Sequence, residues 1–322
     1  MRFVAATGAQ VSAHTVRMGS AEWGLLLLHS LLWGSAYFFI EVALRELPLA
    51  TIVAFRFVPA CAALLAVALV LRLRLPTSPA AWRGFVVLSL LNSLLPFALT
   101  VYGQKTTTGG LAAVLNATTP LFSLLLAPLI TSDERLSAGR LAGVAVGIAG
   151  VAILVGPDAF AGAGTTLLAK VALIGAALSY ALAGHFARTL AAYHPIVIAV
   201  CQLIVGLAVA MPLALAIDQP WRLPTPSWSS VGAILGLGFL SSAAASICFF
   251  TLVKRAGASN ALLVALLLPL TPIVLGAVVL GNVLTPRDTL GACVIALALI
   301  IIDGRALARL RRRTPRVEPP PQ

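Results

Sequence analysis

The chain has 322 residues, of which 60% are hydrophobic and only 10% are charged. This composition excludes a soluble globular domain and is typical of a protein embedded in a lipid bilayer. The net charge of +12 does not indicate a nucleic-acid-binding surface here, because basic residues also gather in the cytoplasmic segments of membrane proteins.

Ten long apolar runs lie between the charged residues. A helix that crosses a bilayer needs roughly 20 mostly apolar residues, including ends whose long side chains reach the interface. The runs are 23–40, 57–71, 84–104, 106–132, 141–157, 171–187, 189–217, 223–253, 256–286 and 289–302. Each run predicts one helix, so we expect an all-α integral membrane protein with ten transmembrane helices.

The distribution of Lys and Arg predicts the orientation of these helices. An even number of helices places both termini on the same side of the membrane. With both termini in the cytoplasm, 16 of the 22 basic residues lie on the cytoplasmic side and 5 on the external side. Because cytoplasmic segments are enriched in Lys and Arg, we expect residues 1–21 and 304–322 to be flexible cytoplasmic tails.

The sequence contains no pattern for a leader peptide, a metal or a cofactor. The first 20 residues lack a continuous apolar core, so we do not expect a signal peptide, and Met18 is an alternative start. The four cysteines fall within predicted helices without a Cys-x-x-Cys spacing. We interpret them as small packing residues rather than as disulfides or metal ligands.

The second half of the chain repeats the first. The run from Lys105 to Pro120 resembles the run from Lys254 to Pro269, 149 positions later. Upstream, Trp33 aligns with Tyr180 at an offset of 147. Membrane chains that contain two such halves are most often transporters.

Each half holds five predicted helices, at 22–155 and at 167–303. Because five is an odd number, two such repeats in series face in opposite directions across the bilayer. Carriers built from inverted repeats bind their substrate near the bilayer midplane, between the halves. Helix 3 then ends at Lys105 on the external side and helix 8 ends at Lys254 on the internal side, so these two lysines are candidate gating residues. Helix ends that merely reach the interface are the plainer interpretation.

Helix 1 carries four polar or aromatic side chains at a spacing of four residues: His29, Trp33, Tyr37 and Glu41. Residues four apart share one face of a helix. We interpret this face as the lining of a transport pathway, and a packing seam between helices is the alternative.

Arg56 is an ionisable residue inside predicted helix 2, and Glu41 lies at a similar depth in helix 1. Charged groups within a membrane span are costly and face a cavity or a partner. The sequence leaves three interpretations open: the two residues pair, they bind a charged substrate, or their side chains reach the interface.

Further polar residues within the predicted helices are candidates for the substrate pathway. They are Asn92, Asn116, Tyr180, His185 and Ser246. Polar groups in hydrocarbon need partners, so hydrogen bonds between helices are the alternative for each.

Four motifs in the first half occur in a characteristic order: Leu32-Trp33-Gly34-Ser35, Phe55-Arg56-Phe57, the run 109–120 after Lys105, and Glu134 before Leu136-Ser137. Together with the helix count and the duplication, they make residues 22–303 resemble the EamA-type group of the drug/metabolite transporter superfamily. The resemblance implies a ten-helix inverted-repeat protein of the bacterial inner membrane that often exports metabolites or drugs. The second half departs from the pattern, because Asn282 stands where Glu134 stands in the first.

These observations favour a secondary transporter that exports a small metabolite, amino acid or drug-like solute by alternating access between the repeats. The sequence contains no phosphate-binding Gly-Lys-Thr loop, no HExxH motif and no Ser-His-Asp set at one depth, so we predict no catalytic residues and no ATP-driven pump. A carrier of lipid- or isoprenoid-linked substrates is the alternative, followed by a membrane enzyme. Expected partners are a small-molecule substrate and the lipid bilayer, without nucleic acid, and a homodimer is an open alternative.

Overall fold

A computed structural model describes residues 19–130, 138–155, 165–256 and 263–303, which form helices and turns without a strand. The helices, numbered in chain order, are α1 (Ser20–Ala43), α2 (Leu49–Val70), α3 (Pro79–Gly103), α4 (Gly109–Asn116 and Thr119–Ile130), α5 (Ala138–Val155), α6 (Thr165–Ala187), α7 (Pro195–Ile217), α8 (Trp228–Ala256), α9 (Val264–Leu280) and α10 (Pro286–Asp303). The predicted all-α membrane fold is confirmed. The predicted tails lie almost entirely outside the described residues, as does Glu134.

Seven of these helices, α1–α4 and α6–α8, are long and apolar enough to cross a membrane. Two others, α5 and α9, contain shorter apolar segments. The last helix, α10, runs antiparallel to α5 in close contact, with Gly143 beside Ile302 at one end and Gly291 beside Leu154 at the other. Glycines let the two backbones approach. The small residues of α5 and α10 therefore serve the packing of these two helices against each other.

The helix packing repeats between the two halves. Helix α1 packs on α8 and α9, and α6 packs on the matching helices α3 and α4. Helix α2 packs on its counterpart α7, and α5 packs on its counterpart α10. Gly103 at the end of α3 contacts Ala169 and Leu173 near the start of α6, so α6 begins at the end of the bundle where α1 and α3 finish. The halves therefore run in opposite directions.

One end of the bundle carries the α1–α2, α3–α4, α7–α8 and α9–α10 connections, and we call it the capped end. Three carboxylates there accept backbone N–H groups at the starts of α2, α4 and α8. The pairs are Asp218 with Thr51 (2.6 Å), Glu41 with Gly109 (2.8 Å) and Glu46 with Ser227 (2.8 Å). The first N–H groups of a helix lack partners within the helix and lie at its positive end, so these carboxylates join neighbouring helices.

Both third helices contain a π-helical segment, at 90–94 in α3 and at 236–244 in α8. The two segments coincide at the repeat offset of 149. In α3, the wider turn precedes Pro96, whose ring clashes with the backbone of a regular α-helix. In α8, Ser242 Oγ donates to the Leu237 carbonyl, five residues back, at 2.8 Å. These segments change the direction in which the side chains that follow them point.

Candidate functional site

Arg56 of α2 lies at the centre of the bundle and is only 3% exposed. Its Nη2 donates a hydrogen bond to Ser242 Oγ of α8 at 2.8 Å. Its guanidinium carbon lies 3.5 Å from the centroid of the Phe97 ring of α3. The guanidinium is therefore held flat on an aromatic face by one helix and fixed at its tip by another, so its position is well defined.

The charge of Arg56 is only partly compensated by these contacts. Removing a guanidinium from water costs several kcal/mol, so a buried cation is normally paired with an anion. The Nε atom is buried without a hydrogen-bond partner. Among the described residues, no acidic side chain forms an ion pair with Arg56. The site thus contains a buried cation that still has an unused donor.

A small pocket adjoins this cation, lined by side chains of the first half and by Tyr180 of the second. The lining residues are Trp33, Ala36, Tyr37, Ile40, Arg56, Phe97, Thr100 and Tyr180. Its volume of about 10 Å³ is near the minimum for a single water molecule. The pocket is therefore too small for an organic solute in this conformation, and such a solute requires its walls to separate.

Aromatic rings close the pocket on the side away from the capped end. The ring of Trp33 lies 5.4 Å from the ring of His29 and 6.4 Å from that of Tyr180, centroid to centroid. Phe249 of α8 packs against His29 at 5.3 Å. His29 Nδ1 lies 3.0 Å from the Ala245 carbonyl, so His29 also links α1 to α8.

Glu41 lies on the opposite side, at the capped end. Its carboxylate accepts from the Gly109 backbone at 2.8 Å and from Asn282 Nδ2 at 2.7 Å. The suggested pairing of Glu41 with Arg56 is therefore wrong, because α4 and the α9–α10 connection supply better-placed donors. Gln104 adds a link from Nε2 to the Tyr37 carbonyl at 3.2 Å. Contacts between helices therefore flank the pocket on both sides.

The other candidate residues lie at various distances from this pocket. Asn116 donates to Thr100 Oγ1 at 3.3 Å, directly behind the pocket wall. Asn92 donates to Gln202 of α7 at 3.0 Å, which matches the alternative of a hydrogen bond between helices. His185 Nε2 lies 3.0 Å from the Ser123 carbonyl of α4, in a similar structural contact.

The remaining candidates lie at helix surfaces or bond to their own helix. Ser246 donates to the Ser242 carbonyl at 2.6 Å, so the residue that contacts Arg56 is Ser242, one turn earlier. Lys105 is exposed at the end of α3, 6.0 Å from the Tyr102 ring. Lys254 is exposed near the end of α8.

Sequence reasoning did not identify Phe97, Thr100 or Ser242 as parts of the site. Phe97 is one of 13 phenylalanines, and its role follows only from the contact with Arg56, 41 positions away. The one available signal was the proline at position 96 beside it, which predicts a helix irregularity. Within the described ranges, no group of three His, Cys, Asp or Glu side chains is arranged to hold a metal ion.

The profile of the EamA-like transporter family matches the chain twice, over residues 22–156 and 167–303. The chain belongs to this family. It is 27% identical to the "Probable terminal-alkyne amino-acid exporter" of Streptantibioticus cattleyicolor over 92% of this chain and 97% of that protein. It is 24% identical to "Protein PagO" of Salmonella typhimurium over 90% and 93% of the two chains.

Two further comparisons agree with this assignment. The "Uncharacterized inner membrane transporter YedA" of Escherichia coli K12 is 26% identical over 87% of this chain and 90% of its own length. A solved crystal structure, 18% identical in sequence, superposes with a TM-score of 0.64 and covers 92% of this chain and 100% of its own. At that identity the superposition supports the fold alone. As a member of the EamA-like family, the chain is a multi-pass membrane transporter.

Proposed function

We propose that this EamA-like protein is a secondary carrier that exports a small organic solute from a bacterial cell by alternating access at the Arg56 pocket. The inner membrane is its proposed location, with both termini in the cytoplasm, as the excess of Lys and Arg favours. The observation that carries the proposal is the pocket itself, because Tyr180 of the second repeat completes a lining from the first, and Ser242 of the second repeat holds Arg56. A site at the interface of two inverted repeats becomes accessible to each side in turn when the repeats rock against each other.

Counterflow in proteoliposomes tests this proposal. Vesicles that contain the purified protein are loaded with an unlabelled solute and diluted into a trace of the same solute with a radioactive label. A carrier exchanges the two, so label accumulates transiently above its outside concentration without an energy source. We would test amino acids, organic acids and organic amines in turn. A channel would only equilibrate the label, and that result with every transported solute would refute the carrier.

One observation favours the alternative carrier of a lipid-linked substrate. An apolar groove of about 640 Å³ lies between α2 and α8 near the capped end, with Phe55, Val58, Pro59, Ile234 and Leu235 among its lining residues. A groove of this size accommodates a small apolar ligand or part of an acyl chain.

Filling the groove distinguishes the two carriers. Val58 is 44% exposed and lines the groove, so Val58→Trp blocks the groove without touching Arg56. A carrier of water-soluble solutes keeps its counterflow rate in this variant. Loss of counterflow with unchanged thermal stability would favour the lipid-linked substrate.

A further inference from the structure

The pocket contains one uncompensated positive charge surrounded by aromatic rings. We propose that it binds the carboxylate of a singly charged, aromatic or apolar organic acid, and that it discriminates against solutes with an ammonium group. This inference rests on the proposed function, because it assigns a substrate class to the same site.

The guanidinium of Arg56 is positioned for a carboxylate ligand. Arginine offers five N–H donors in a planar fork that matches the two oxygens of a carboxylate. Only the Nη2 bond to Ser242 is formed within the described chain, and the buried Nε has no partner. A bound carboxylate would supply both the missing acceptor and the missing negative charge.

The hydroxyl groups around Arg56 complement this role. Tyr37 and Tyr180 both line the pocket together with Arg56. Thr100 lines the same pocket. A hydroxyl donates a hydrogen bond to an anion as readily as to a neutral acceptor, so these groups suit the second face of a carboxylate.

An ammonium group finds no comparable partner there. The lining contains no Asp or Glu. Glu41, the acidic residue on the same helix face as Trp33 and Tyr37, is already bonded to Gly109 and Asn282. Aromatic rings also attract cations, but the guanidinium covers the Phe97 ring and repels a second positive charge. A zwitterion therefore loses at its ammonium group what it gains at its carboxylate.

The other lining residues determine which apolar part of the solute fits, and the single cation determines its net charge. Trp33, Ile40 and Phe97 offer apolar surface, which favours a ring or a short hydrocarbon chain. A single cation neutralises a single negative charge. A phosphate monoester, which carries close to two charges at pH 7, would remain partly uncompensated.

Three solutes with the same ring and nearly the same size test this inference: 3-phenylpropanoate, phenylalanine and phenethylamine. Their binding to the full-length protein in nanodiscs is measured by equilibrium dialysis with labelled solute. We expect 3-phenylpropanoate to bind roughly 10- to 100-fold more tightly than phenethylamine, the range expected for one charge-assisted contact, with phenylalanine between them. Arg56→Gln should remove this preference, because it weakens the binding of 3-phenylpropanoate and relieves the repulsion of phenethylamine.

Asn92→Gln is the matched control, since Asn92 is a polar residue that bonds Gln202 outside the pocket, and it should leave all three affinities unchanged. Should Arg56→Gln fail to fold, the order of affinities in the unaltered protein still decides. Equal or tighter binding of phenethylamine, tighter binding of phenylalanine than of 3-phenylpropanoate, or no binding of 3-phenylpropanoate would each overturn the inference.

Counterflow of the same solutes separates this inference from the proposed function. Counterflow of 3-phenylpropanoate that survives Arg56→Gln at an unchanged rate would keep the carrier and overturn the anion site. Binding of 3-phenylpropanoate that depends on Arg56, without counterflow of that solute or of any other, would keep the site and refute the carrier.

Discussion

At position 56, lysine would carry the same charge as arginine but could not reproduce its contacts. A guanidinium stacks on a ring and donates from several directions, whereas an ammonium is a compact, strongly hydrated charge. The contacts with Phe97 and Ser242 both use the flat, forked shape of the side chain. The site therefore depends on the geometry of Arg56 as well as on its charge.

We therefore predict that Arg56→Lys weakens the binding of 3-phenylpropanoate by about 10-fold while keeping the preference over phenethylamine. The measurement is the same equilibrium dialysis, at constant ionic strength. Unchanged affinity would mean that only the charge at position 56 matters.

Glu41 is a second residue whose role depends on its hydrogen-bond partners. Its two hydrogen bonds join α1 to α4 and to the α9–α10 connection. Contacting residues couple energetically, by about 0.5–3 kcal/mol. We predict a coupling of about 1 kcal/mol between Glu41→Gln and Asn282→Ala in thermal unfolding of the detergent-solubilised protein. Strictly additive effects would show that the Glu41–Asn282 bond contributes nothing to stability.

The sequence could predict part of this site. The four-residue spacing on α1 brings Trp33 and Tyr37 to one face, and the repeat offset places Tyr180 opposite them. Spacing carries no information about partners that are distant in sequence, such as Ser242, which is 186 positions from Arg56. The same holds for Glu41, whose acceptor role follows from the tertiary arrangement of a helix start and a loop.

At the scale of elements, the starts of three helices at the capped end are stabilised by carboxylates from neighbouring helices and connections. Glu46 is the most exposed of these, and the hydrogen bonds from the Ser227 backbone, and from the Ser227 and Ser230 side chains, keep the pKa of its carboxyl below the ordinary value of 4.5. A carboxyl whose pKa is lower in the folded than in the unfolded state stabilises the fold when it is ionised.

We predict that Glu46→Gln lowers the melting temperature at pH 7 and that this difference disappears in acid. The contribution of Glu46 is complete above its ordinary pKa and is lost as the pH falls through its lowered pKa. Thermal unfolding at pH 7 and at successively lower pH values measures it. Arg45 is an exposed neighbour, so Arg45→Gln is the control. A decrease in melting temperature of Glu46→Gln that is the same at every pH would contradict the prediction.

The π-helical segment of α8 brings that helix unusually close to α2. A Cβ atom added at Gly238 would lie only 2.2 Å from Pro59 Cγ and 2.8 Å from the Arg56 carbonyl oxygen. Neither atom belongs to a flexible side chain, so α2 would have to move. Gly232, in the same helix, has no atom within 4 Å of an added Cβ.

We predict that Gly238→Ala destabilises the protein by about 1–3 kcal/mol, the usual cost of overpacking. It should also weaken binding of 3-phenylpropanoate, because the displaced backbone is that of Arg56. Gly232→Ala is the matched control and should be neutral or stabilising by up to about 1 kcal/mol. Equal unfolding curves for the two variants would exclude the close contact.

At the scale of the whole molecule, the repeat explains the fold better than any single helix does. The offset near 148 predicted helices in matching places, and the matching packing of α1 on α8 and α6 on α3 agrees with it. The interruptions in α4 and α9, at 117–118 and 268–269, also correspond, although only the second contains a proline. The chemistry is not duplicated, because Arg56 and Glu41 have no charged counterparts of the same sign in the second half.

The alternating exposure of the Arg56 pocket is the central claim, and the labelling of one pocket residue tests it most directly. Ala36 lines the pocket and is buried, so Ala36→Cys, in a variant whose four native cysteines are replaced by alanine, reports on access. A membrane-impermeant thiol reagent is added to right-side-out or to inverted vesicles.

We predict slow labelling from both faces, with 3-phenylpropanoate reducing it on each face. Labelling from one face only, or from neither face, would contradict alternating access at this pocket.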